Sequence, residues 1–179
     1  MNISRTRGVY ITLIIVFVGI IITSVYALLG GFEEVHVYQM EPVERTVIGR
    51  SFYSHYTDEA PVDFGRKCRE MLENGDVEGT LTRITFQSDT LAQNHLHQFV
   101  GITLSTEMAE VPTGFEVREF SSKERFAVFL SMHVLVQPRP HTIEAMIRDK
   151  ASADGYQLRD YFYELRYLDN SLSVEGWVE

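Results

Sequence analysis

Residues 161–170 read YFYELRYLDN, a run in which one carboxylate, Glu164, stands among aromatic side chains. Taking a carboxylate out of water is costly unless a cation offsets its charge. Such a residue is therefore an exposed strand charge, half of an internal ion pair, or a receptor for an organic cation. The composition is that of a β-strand, with aromatics at 161, 162, 163 and 167 and no Gly or Pro before the Asp169-Asn170 turn signal. Alternation along a strand puts Tyr161, Tyr163, Leu165 and Tyr167 on one face and Phe162, Glu164 and Arg166 on the other. Arg166 is thus one internal cation within reach, and Arg83 is a second for a reason given below.

Other reactive side chains are sparse. His95 and His97 in NHLHQ are two apart, half of a metal site with no convergent third ligand, and they read as a polar pair where a turn becomes a strand. His36, His55, His133 and His141 are scattered. No H-E-x-x-H, G-x-S-x-G or phosphate-cradling glycine pattern occurs, so neither a metal nor a cofactor is expected. The single Cys68 has no partner for an internal disulfide and falls at an apolar helical position, as a buried structural thiol does.

The elements that must position Glu164 begin after a membrane segment. Val9–Leu29 carries no charge, and at about 1.5 Å per residue it spans a hydrocarbon core of roughly 30 Å. Arg5 and Arg7 precede it and Glu33 and Glu34 follow, which places the N-terminus in the cytoplasm and the rest outside it. Val25 and Ala27 resemble a cleavage pattern, but the apolar run exceeds a signal-peptide core of about 7 to 15 residues, so an uncleaved anchor is expected. Residues 1–31 are then a stub and anchor, and 32–179 one domain. Of the 16 basic residues, Arg5 and Arg7 lie in the stub, leaving 14 against all 25 acidic ones, a formal charge of −11. That balance disfavours nucleic acid as a partner.

A shift of 80 places sets VHVYQMEPVERTVIGRSF (35–52) over FEVREFSSKERFAVFLSM (115–132), with Val37/Val117, Glu44/Glu124, Arg45/Arg125 and Ser51/Ser131 identical. Both copies read strand, turn, strand. A helix follows each, with Pro61, Phe64, Cys68, Met71 and Leu72 in the first and Pro140, Ile143, Met146 and Ile147 in the second. Each helix runs into a strand, RITFQSD (83–89) or ELRYLDN (164–170), and then another, HQFVGITL (97–104) or SVEGWV (173–178). Two such halves make an α+β domain, an antiparallel sheet with both helices on one face and the other face a solvated surface or a cleft. Arg83 is the first-half counterpart of Glu164, and residues related by a pseudo-twofold approach one another.

GFEVREFS (114–121), PHTIEAMIRD (140–149), YELRYLDN and FVGITLS (99–105) together resemble the GyrI-like small-molecule-binding domains, the effector-binding domains of multidrug-responsive activators. With the N-terminal helix, the likeness is to the membrane-anchored branch of that family, which includes an animal ER-phagy receptor. The typical second-half motif is F-E-x-Y, whereas here the aromatic falls one place later, in Tyr163-Glu164-Leu165-Arg166-Tyr167. The resemblance implies that Glu164 is the glutamate at the floor of an aromatic pocket for hydrophobic or cationic small molecules; Phe162, Trp177 and Tyr38 are its expected walls on strand position alone. Each wall would add about 0.5 to 2 kcal/mol of cation–π attraction. Arg83 would oppose this by pairing with Glu164 itself.

Two other functions remain open at this level. Some GyrI-like proteins hydrolyse strained-ring natural products, which would set Glu164 against Trp177 or Tyr38 as a water-directing pair. A protein-docking adaptor would use the loops 53–60 and 105–113; because the chain stops directly after its last strand, a tail-borne adaptor motif is not expected.

Overall fold

The computed structural model describes residues 3–87, 91–106, 108 and 110–179. Ser88 and Asp89 of the expected strand 83–89, and Glu107 and Ala109 of the expected rim loop, lie outside them. The chain divides into two units, one of residues 1–34 with 131–137 and one of 35–130 with 138–179.

In the first unit the apolar run forms α1 (Ile3–Leu28), whose stretch Gly8–Leu28 is long and apolar enough to cross a membrane. Gly30 ends it in the left-handed region (φ 82°), where a Cβ would also meet Glu33 and Met132. The amides of Gly30 and Gly31 return to the carbonyls of Ala27 and Tyr26. The 131–137 segment is tied to this end by the His133 amide on the Leu29 carbonyl (3.0 Å) and the Ser131 hydroxyl on the Glu33 carboxylate (2.9 Å).

The second unit is α+β. Its elements are β1 (Val37–Met40), β2 (Val43–His55), α2 (Ala60–Glu73), β3 (Gly79–Phe86), β4 (His95–Leu104), β5 (Glu116–Ser122), β6 (Arg125–Leu130), α3 (Pro140–Ala153), β7 (Leu158–Arg166) and β8 (Leu172–Val178). All strand pairs are antiparallel, in the order β1-β6-β8-β7-β3-β4-β2-β5. A proline in the first turn starts each helix of this unit. Cys68 and Leu72 of α2 pack with Ile48, Ile102 and Val77, and Ile147 of α3 sits over Gly176. The registers put these contacts on one face of the sheet, so both helices cover that face.

The strand, turn, strand elements expected in 35–52 and 115–132 are present, but in neither copy do the two strands pair with each other. β1 and β2 do not form a hairpin: β1 pairs with β6, and β5 with β2, so the two halves exchange their first strands. Only Glu41 and Pro42 join β1 to β2, and only Lys123 and Glu124 join β5 to β6. Each link reaches at most about 11 Å, yet the strands it joins are six places apart in the sheet, about 29 Å if the sheet were flat. The sheet must curl until its ends approach. Phe120 of β5 and Trp177 of β8, five places apart, accordingly meet with ring centroids 6.4 Å apart.

Curling buries the face without helices. Val47, Ile84, Phe99, Tyr163 and Trp177 are fully buried there and form one cluster, with Phe120 packed against it. The open surface or cleft expected for this face is a concave interior filled by the protein's own side chains.

Candidate functional site

The concave interior holds a carboxylate, Glu175 of β8, which is 1 % exposed. Alternation along LSVEGWV points Ser173, Glu175 and Trp177 inward together. Two guanidinium groups close on it. Arg45 of β2 donates from both terminal nitrogens, to Oε2 at 2.8 Å and Oε1 at 3.0 Å. Arg125 of β6 donates to Oε1 at 2.7 Å. Trp177 Nε1–H donates to Oε2 at 2.9 Å, and the Ser173 hydroxyl to Oε1 at 3.4 Å. A buried ionised carboxylate is tolerable only with its lone pairs engaged in this way.

Arg45 also lies over two aromatic rings, 4.9 Å from the Tyr163 centroid and 5.5 Å from that of Trp177. Those rings stack on each other at 4.9 Å and 9°, and Phe120 meets both edge-on. Burial works against the charge of Arg45, but its hydrogen bonds and charge pairing with Glu175 more than offset this and hold its pKa above the ordinary value. The Tyr163 hydroxyl contacts Thr103 Oγ1 at 2.5 Å, and Thr103 contacts Thr82 Oγ1 at 2.6 Å. Burial pushes the Tyr163 phenol up to about 12 despite these contacts.

This is a cation site of carboxylate and aromatic rings with a guanidinium already in it. Arg45 and Phe120 also line a groove of about 440 Å³ with Glu44, Thr46, Glu119 and Ser121, so the edge of the filled interior borders solvent-accessible space.

The residues expected to form one site are distributed over both faces. Glu164 and Arg83 are direct cross-strand partners on the helix-covered face, with Nη1 and Oε2 3.8 Å apart. Phe162 is on that face too, under the Arg148 guanidinium at 5.1 Å. Trp177 is at the centre of the concave interior. Tyr38 is half exposed on β1, 6.2 Å from Phe129. The five therefore do not converge on one cavity: adjacent strand residues diverge, and Phe162 and Glu164 share a parity opposite to that of Trp177.

Nearby, Gln87 donates to Glu144 of α3 at 2.9 Å. The Glu144 carboxyl is raised above its usual range by burial first and by the charge of Glu164 second. Among the described residues no group of three or more His, Cys, Asp or Glu side chains is placed to hold a metal ion.

Glu175 is the residue that sequence reasoning passed over. Two signals bore on it: a lone acid in an otherwise uncharged strand, and an arginine repeated at 45 and 125 in an acidic chain.

The architecture defines a class, the duplicated α+β fold with a curled antiparallel sheet and two helices on its outer face. Solved structures share it. The C-terminal domain of EcmrR superposes with a TM-score of 0.54 at 8% identity, covering 83% of this chain and 98% of that one. EcmrR in the cryo-EM structure of an EcmrR–DNA complex gives 0.55 at 9% identity, over 100% of this chain and 72% of that one. A hydrolase from Listeria innocua gives 0.50 at 9% identity, over 82% and 92%. At such identities the likeness is one of fold, the GyrI-like arrangement that the sequence motifs resemble. No protein-family model matches the chain. No curated protein matches it either.

Proposed function

We propose that residues 32–179 form a binding domain for a hydrophobic or cationic small molecule, and that α1 tethers it to a membrane with the N-terminus on the cytoplasmic side. The observation that carries the reading is Arg45, seated between the Glu175 carboxylate and the Tyr163 and Trp177 rings. A buried carboxylate and stacked aromatics are what an organic cation needs, with about 0.5 to 2 kcal/mol from each ring. Here the chain's own guanidinium occupies that place. A ligand enters by displacing Arg45, while Arg125 keeps Glu175 from being left without a partner.

Trp177 is the only tryptophan in the chain, so its fluorescence reports on this interior alone. The test uses the full chain in lipid nanodiscs, empty discs as the blank, and a lipophilic quaternary ammonium dye. Arg45→Ala should bind the dye at least about tenfold more tightly than the parent, equivalent to about 1.4 kcal/mol. Arg45→Ala with Glu175→Gln should lose that gain. No dye-dependent change in Trp177 emission in either the parent or Arg45→Ala would sink the proposal.

The fold likeness to a hydrolase raises the catalytic alternative. A general base must accept a proton from water, but Arg45, Arg125, Ser173 and Trp177 already take up the acceptor positions of Glu175. Binding is the better supported reading. Tethering is tested separately: protease added to spheroplasts should cleave the domain while leaving cytoplasmic proteins intact, and protection of the domain would reverse the orientation.

A further inference from the structure

On the helix-covered face, away from Glu175, three arginines from three elements converge. Arg69 lies on α2, Arg83 on β3 and Arg166 on β7, and Arg166 feels the charge of both others as well as that of Glu164. Arg83 has Glu164 at 3.8 Å, and Arg69 donates to the Asn170 side-chain carbonyl at 3.3 Å. The Arg166 guanidinium makes no hydrogen bond or ion pair with the described residues. Burial first, and then its two arginine neighbours, pull its guanidinium below the ordinary value against the raising effect of Glu164. In a chain of formal charge −9, a partly buried arginine held near two others and lacking a hydrogen-bonded partner is an unusual local excess.

Arg166 also lines a groove of about 360 Å³ between the end of α2 and the β7–β8 turn. The walls are apolar, from Leu72, Leu81 and Leu168, with Tyr167 and the start of β3 completing them. Asp169 is the one carboxylate in the lining, and it is turned into its own loop, accepting from the Ser171 amide at 2.9 Å and hydroxyl at 2.6 Å. The volume is at the small end of the range for ligand pockets, about 300 to 1,000 Å³.

We propose that this groove is a second binding site, taking an amphiphilic anion whose carboxylate or phosphate monoester pairs with Arg166 and whose alkyl or aryl body lies on Leu72, Leu81 and Leu168. An arginine fork matches either headgroup bidentately. Charge complementarity selects the occupant: a cation or a neutral apolar molecule would leave Arg166 as it is, without a partner.

Calorimetric titration of the full chain in nanodiscs, with empty discs as the blank, compares octyl phosphate, octanoate, 1-octanol and inorganic phosphate. At least one of the two amphiphilic anions should bind at least about tenfold more tightly than octanol and inorganic phosphate, and their ratio tells phosphate from carboxylate recognition. Arg166→Gln should lose about tenfold or more and Arg166→Lys less. Leu168, 57% exposed, can be changed without touching the core, so Leu168→Asp should also weaken the anion and keeps the test valid if Arg166→Gln fails to fold. Octanol binding as tightly as the anions, or unchanged anion affinity in Arg166→Gln or Leu168→Asp, would overturn the proposal.

Discussion

Arg45 and Arg125, equivalent residues of the two halves and 80 positions apart, close on the same carboxylate, Glu175. A duplicated chain has thereby used two copies of one side chain asymmetrically. Arg45 spans the concave face from β2 to β8, four places away in the sheet and about 19 Å if it were flat, whereas Arg125 needs only to reach from the neighbouring strand. The first contact depends on the curl of the sheet and the second does not.

Removing the carboxylate should therefore be severe. Glu175→Gln leaves two guanidinium groups, 12% and 13% exposed, without their counter-charge, and a broken buried pair typically costs about 3 to 5 kcal/mol. Urea unfolding should show a loss of that order. A loss below about 1 kcal/mol would mean that water reaches the arginines and that the interior is open.

Tyr163 gives a pH signature. Its phenol is raised from the ordinary 10 to about 12, so between these values the unfolded chain releases a proton that the folded chain keeps. Stability should be fully present below pH 10 and fall as pH rises towards 12, by on the order of 2 kcal/mol. Tyr163→Phe should flatten most of this slope, leaving the smaller part owed to the raised phenols of Tyr161 and Tyr156, while costing about 1 kcal/mol at neutral pH through the lost contact with Thr103. A parent and variant with parallel profiles from pH 9 to 12 would contradict the assignment.

Glu144 predicts the reverse of the usual carboxylate behaviour. Its raised value means that the folded state holds its proton longer than the unfolded one, so its contribution falls as pH rises through the carboxylate range. Glu144→Gln should raise the melting temperature at pH 7 and change it little at pH 3. Gln retains an acceptor for Gln87, and a variant less stable than the parent at pH 7 would show the hydrogen bond to outweigh the repulsion from Glu164.

Gly49 and Gly101 face each other across β2 and β4. A Cβ on Gly101 would come within 2.0 Å of the Ile48 carbonyl oxygen and 2.6 Å of Gly49 Cα, backbone atoms that have no rotamer with which to yield. Gly101→Ala should cost about 3 kcal/mol or more, read as a lowered urea midpoint. Gly75→Ala, with nothing within 4 Å, should cost less and only through its positive φ.

Much of the fold was legible because it is written locally. Pro61 with Phe64, Cys68 and Leu72 marks α2, and YFYELRY alternates as β7 does. Strand partners are not written locally. Met40-Glu41-Pro42-Val43 has the length of a hairpin link, yet β1 and β2 lie six places apart, because partner choice depends on which curled arrangement buries Phe120, Tyr163 and Trp177 together. The five expected site residues fall on two faces for a related reason. Glu164 is conspicuous among aromatics in sequence, but only Phe162 shares its face; Tyr161 and Tyr163 point into the concave interior, where the buried carboxylate, Glu175, comes from the next strand. The Arg83–Glu164 apposition was legible, since a pseudo-twofold brings equivalent residues to its axis.

The exchanged first strands also set a schedule for synthesis. β1 emerges soon after the apolar helix but must wait for β6, which begins at Arg125, before its backbone groups find their partners. β2 likewise lacks its outer neighbour until β5 has been made. Neither half can therefore be finished while the other is missing, and a nascent chain halted near residue 110 would display three unpaired strand edges, on β1, β2 and β3. Such edges are templates for wrong pairing, so this topology ties the safety of the growing polypeptide to how promptly its second half is delivered.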